Sequence, residues 1–82
     1  MDKGLENKGV ISRRRVYDFI VDFITKNGYS PSVREICEGT KLSSTSSVYA
    51  HLEMLETMGK IHMKKGKTRT ISLVGYKFVK IE

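Results

Sequence analysis

With 82 residues, a net charge of +6, 39% hydrophobic residues and one cysteine, the chain is the size of one small, foldable domain. That size excludes a large catalytic cleft beside a core, and the single thiol excludes an internal disulfide. No apolar run is long enough to span a bilayer.

The basic excess is uneven: residues 60–82 carry seven Lys or Arg against Glu82, and a second run stands at Arg13-Arg14-Arg15. Residues 43–59 are net acidic. Such a surface favours a polyanionic partner. No secretory signal is evident, and the lone Cys37 fits a reducing compartment, so the expected location is the cytoplasm.

In chain order, residues 1–11 hold two glycines and no hydrophobic period, which predicts a flexible N-terminal arm. Ser12 is the expected N-cap of a first helix, whose apolar stripe is Val16, Phe19, Ile20, Phe23 and Ile24. Asn27-Gly28 stops it, and Tyr29-Ser30-Pro31 reads as an extended connector because Pro31 disfavours helix at Ser30. Ser32-Val33-Arg34-Glu35 is a capping box that opens a short second helix, with Val33, Ile36 and Cys37 as its apolar face and Gly39 as its end.

The hydroxyl run 43–47 reads as the start of a third helix capped by Ser44, because Val48, Leu52, Leu55 and Met58 keep helical spacing up to Gly59. The period then falls to 2: Ile61 and Met63, then Ile71 and Leu73, alternate with polar residues about a Lys65-Gly66-Lys67-Thr68 turn. Residues 74–82 read as a further strand, a dimer contact or a tail. The expected fold is mainly α with a small β-hairpin, a three-helix winged helix-turn-helix over residues 12–73.

A major groove admits one helix and is read by short hydrogen-bonding and apolar side chains. Helix three supplies Ser44, Thr45, Ser46, Ser47, Tyr49 and Ala50 before its first acid, Glu53. With Val48 and Leu52 inward, Ser46, Ser47, Tyr49 and Ala50 face largely outward, and Tyr49 either meets the groove or packs on the wing or first helix. Lys64, Lys65, Lys67 and Arg69 surround Gly66 and suit a phosphate backbone or minor groove, although lysines on a hairpin also guard a strand edge. Arg13 and Arg34 are further backbone candidates. The alternatives are a solvated face for the Arg13 run and an i,i+4 pair with Glu38 for Arg34.

His51, His62 and Cys37 form neither a nucleophile triad nor a metal set, and no glycine-rich phosphate loop is present. No catalytic residue, metal, cofactor or small-molecule substrate is expected, and no membrane partner.

Gly28-Tyr29-Ser30-Pro31-Ser32-Val33-Arg34-Glu35-Ile36 resembles the G-Y-x-P-S-V-R-E-I run of LexA repressors, above all those of Gram-positive bacteria. Leu42-Ser43-Ser44, Val48, His51-Leu52, Leu55-Glu56, Gly59, Ile61, Arg69 and Ile71 extend the similarity across about residues 12–73. The resemblance implies a winged helix that binds palindromic operators as a dimer and represses transcription, chiefly of DNA-damage genes (the SOS response). It places Ser44, Ser46, Ser47, Tyr49 and Ala50 where such proteins read bases, Thr45 where some carry proline, and Lys67 and Arg69 on the wing.

Cys37, His62-Met63 and the tail from Val74 depart from the family pattern. The family's self-cleaving Ser/Lys peptidase domain has no counterpart, which fits either an excised domain or a short stand-alone relative; the natural-looking tail leans the expectation to the second. The leading function is a sequence-specific regulator of double-stranded DNA on the bacterial or phage-like nucleoid, with homodimerisation open. A protein-docking winged helix using Tyr76, Phe78, Val79 and Ile81, and a nonspecific nucleic-acid binder, are the alternatives.

Overall fold

The computed structural model describes residues 8–75, in the order α1 (Lys8–Asn27), α2 (Val33–Thr40), α3 (Thr45–Thr57), β1 (Ile61–His62) and β2 (Ser72–Leu73). The three helices pack pairwise on one another, and α3 feeds an antiparallel hairpin. This is the winged helix-turn-helix expected above. Expectations for residues 1–7 and 76–82, including the tail contacts, lie outside the described residues.

The core follows the hydrophobic periods. Val16, Ile20 and Ile24 of α1 meet Ile36 of α2 and Val48, Leu52 and Leu55 of α3, with Ile61, Ile71 and Leu73 closing it from the hairpin. Burying each such side chain contributes on the order of 1.5–3 kcal/mol. Phe19 and Phe23 are only half-buried and form an aromatic row along the flank: Phe19 to Phe23 at 5.8 Å, then Phe23 edge-on to Tyr29 at 5.5 Å.

Four local expectations need correction. Helix α1 begins at Lys8, so Ser12 lies inside it and caps nothing. The extra turn carries Val10 to a crevice it lines with Leu55 and Met58, and that apolar surface favours helix over a loose arm. Arg13-Arg14-Arg15 therefore stands beyond the first turn, where the helix dipole has largely decayed.

Gly39 does not end α2. The helix continues to Thr40, and Lys41 takes the left-handed cap conformation at φ 60°. Gly39 instead makes room for a neighbour, since a Cβ there would run into the Phe19 ring, with Cδ1 and Cζ only 2.7 Å away. Met58, expected on the inner stripe, is the C-cap of α3 and 49% exposed, because the helix ends before that position turns inward.

The hairpin ladder is also shorter than the alternation suggests. It holds only the pairs Ile61–Leu73 and His62–Ser72. Beyond them Thr70 replaces backbone pairing: its Oγ1 accepts from the Lys64 amide at 2.9 Å and donates to the Lys64 carbonyl at 3.3 Å. Arg69, at φ 56°, bends the chain away from strand geometry. Met63 still packs partly against the core and Ile71 is buried, so the inward alternation survives without the ladder.

Candidate nucleic-acid interface

The site begins at the two helix N-termini. Ser32 closes α2 as expected: its Oγ accepts from the Glu35 amide at 3.1 Å, and Glu35 Oε1 accepts from the Ser32 amide at 2.9 Å. Ser44 closes α3, its Oγ accepting from the Ser47 amide at 3.3 Å and lying 3.3 Å from the Ser47 hydroxyl. Between them, the turn is held by the Leu42 amide and the Cys37 thiol, which donate to the Cys37 and Leu42 carbonyls respectively, each at 3.2 Å. The backbone relation of the helix pair is thus set by short-range bonds.

Thr45, Ser46, Tyr49 and Ala50 lie exposed on one face of α3, with Ser44 at its head and Ser47 half-buried at its margin. Tyr49 is 51% exposed. It lines a groove of about 410 Å³ that runs between the start of α2, α3 and the wing. Arg34, Lys64, Lys65, Lys67 and Arg69 are the charged residues of that lining, five cations with no carboxylate among them. The wing tip turns at Gly66, φ +76°, a backbone region open to glycine without strain.

The backbone candidates divide. Arg34 and the three lysines are exposed, and among the described residues Arg34 has no carboxylate at ion-pair distance, Glu38 included. Arg13 is not part of the groove: it lines the crevice between α1 and α3 with Tyr17 and Lys60. Burial, and secondarily the Arg13 charge, hold the His51 imidazole below its ordinary pKa. Arg15 donates to the Thr40 carbonyl at 3.4 Å, at the end of α2.

Arg69 points at protein rather than outward. Its Nη1 and Nη2 donate to Glu35 Oε1 and Oε2 at 2.9 and 3.0 Å, and Nη1 also donates to the Ser30 carbonyl at 3.1 Å. The hydrogen bond from Arg69, then that with the Ser32 backbone, hold the Glu35 carboxyl below its usual pKa, and the same carboxylate raises that of Arg69. Ser30, which residue type alone did not single out, is buried beneath this pair and accepts from the Ile71 amide at 3.1 Å. Partners 34 to 41 residues apart leave no mark in one sequence.

A helix with an uncharged N-terminal face, flanked by a cationic groove and a glycine-tipped wing, matches the family model for the LexA DNA binding domain over residues 12–70. The chain belongs to the LexA DNA binding domain family. It is 46% identical over 74 residues to the LexA repressor of Clostridium novyi (strain NT), covering 90% of this chain and 34% of that protein. It is 51% identical over 69 residues to that of Clostridium botulinum (strain Hall), covering 83% and 34%. For Clostridium perfringens (strain SM101) the LexA repressor is 43% identical over 60 residues, covering 73% and 30%.

The chain thus spans about a third of the curated relatives it matches. The family is one of DNA binding rather than catalysis. Among the described residues, no group of His, Cys, Asp or Glu could hold a metal ion, and no helix is long and apolar enough to cross a membrane.

Proposed function

We propose that the chain is a sequence-specific double-stranded DNA-binding regulator that acts as a LexA-like transcriptional repressor in the bacterial cytoplasm, without catalytic activity. The observation that carries this reading is the groove beside α3, which five cations and no carboxylate line. In the bound state α3 enters the major groove. Ser44, Thr45, Ser46, Ser47, Tyr49 and Ala50 lie at the bases, Tyr49 and Ala50 offering apolar surface to thymine methyls and the hydroxyls bonding to bases or phosphates. Arg34, Lys64, Lys65 and Lys67 take phosphates along the groove, and Arg13 takes one outside it. Two chains on a palindrome, one per half-site, give the affinity that one short helix lacks.

The test is a titration of fluorescent duplexes at about 0.15 M salt, one a LexA-type palindrome and one scrambled, repeated across salt. Five phosphate contacts per chain predict a log–log slope near −4.5 for each chain bound, and the reading predicts at least a tenfold preference for the palindrome. Tyr49→Ala abolishes that preference, whereas Lys67→Ala weakens both duplexes alike and reduces the slope by about 1. Equal binding of both duplexes refutes readout of a LexA-type palindrome and leaves a different operator or none, which selection from random sequence decides; binding to neither refutes the DNA reading.

A further inference from the structure

We propose that Arg69 and Glu35 are positioning residues that fix the direction of the wing over α2, and that Arg69 is not itself a phosphate contact. The consequence for DNA rests on the reading above; the geometry does not. A paired ladder of two residues per strand is too short to hold a nine-residue wing in one direction. The wing is instead sewn to the α1–α2 connector and the head of α2.

The bidentate Arg69–Glu35 pair, the Arg69 bond to the Ser30 carbonyl and the Ile71 bond to Ser30 Oγ all lie on its returning limb. The Tyr29 ring packs beneath the Arg69 guanidinium at 5.3 Å. The outgoing limb is tied to the returning one through Thr70 and Lys64. Lys64, Lys65 and Lys67 therefore take their orientation from a carboxylate that also caps α2.

Arg69 reaches this position from left-handed backbone, φ 56°, which disfavours any residue with a Cβ. Glycine would relieve the backbone but lose the fork. Both terminal nitrogens of the guanidinium are committed to protein acceptors.

Glu35→Gln separates a positioning role from direct contact by sign. Glutamine keeps the capping box, but its amide nitrogen presents hydrogens to Arg69 and ends the bidentate pair. The variant also gains one unit of positive charge. If Arg69 bound phosphate, freeing it would tighten DNA binding.

The proposal predicts the reverse: binding of both duplexes weakens about three- to tenfold, with a salt slope shallower by about 1 to 2. Arg69→Lys, which keeps the charge but not the fork, shows the same loss. In the free protein, amide exchange of Lys64 and Ile71 quickens about tenfold in Glu35→Gln while that of Leu52 does not change, which separates local release from unfolding.

Unchanged exchange at Lys64 and Ile71, or DNA binding equal to or tighter than the parent in either variant, overturns the proposal. If the parent protein binds neither duplex, the DNA reading has failed, and exchange in Glu35→Gln alone decides whether the pair orients the wing.

Discussion

Gly39→Ala sets two physical effects against each other at one atom. Gly39 is inside α2, where alanine is favoured over glycine by about 1 kcal/mol on helix propensity alone. The added methyl, however, would overlap the Phe19 ring, most severely at Cε1, with Cδ1 and Cζ each 2.7 Å away. Carbon atoms need roughly 3.5–4.0 Å, so the ring must retreat by roughly 1.5–2 Å to clear its nearest carbon. It is half-buried and leans on Phe23, which leans on Tyr29 in turn, so the displacement is shared along the row.

Overpacking of this kind costs about 1–3 kcal/mol; less the propensity gain, the net loss is centred on about 1 kcal/mol. Urea unfolding followed by circular dichroism, with a slope of about 1 kcal/mol per molar, should show the midpoint falling by about 1 M. The melting temperature should fall by about 4–8 °C. In a Phe19→Leu background the ring is absent and Gly39→Ala becomes neutral or stabilising. A Gly39→Ala protein more stable than the parent would refute the reasoning, showing that the ring yields freely and helix propensity prevails.

Further outcomes follow from single residues. Lys41→Gly relieves a left-handed cap and should stabilise the fold by about 0.5 kcal/mol, after the looser unfolded chain is counted, measured by the same urea titration. Ser44→Ala removes the α3 N-cap, with an expected loss of about 1 kcal/mol and faster amide exchange at Ser47.

Because His51 is held below its ordinary 6.5, the unfolded chain takes up a proton first on acidification. Its contribution is complete above about pH 6.5 and declines as pH drops through the lowered value, so His51→Gln should flatten that part of a stability–pH profile. The Glu35 contribution has the same sign lower down. It is present above the ordinary 4.5 and lost as pH falls through the depressed value, which Arg69→Lys should make visible as a smaller acid-side slope.

How much of this was legible in the sequence depended on the range of the interaction. The Ser32–Glu35 box and the Ser44 cap act over three residues, and the Gly28 stop, its amide on the Ile24 carbonyl at 2.8 Å, over four. The stripes Val16–Ile20–Ile24 and Val48–Leu52–Leu55 reflect the helical period itself. For those reasons the three helices, the hairpin, the outward face of α3 and the cationic wing could be read in chain order.

The start of α1, the passage of α2 through Gly39 and the orientation of the wing could not. Each depends on a partner far along the chain: Val10 with Leu55 and Met58, Gly39 with Phe19, Arg69 with Glu35 and Ser30. A single sequence states which residues can bond or pack but not which distant pair will meet. That was decided when the apolar faces closed on one core, bringing the α1–α2 connector and the returning limb of the wing side by side.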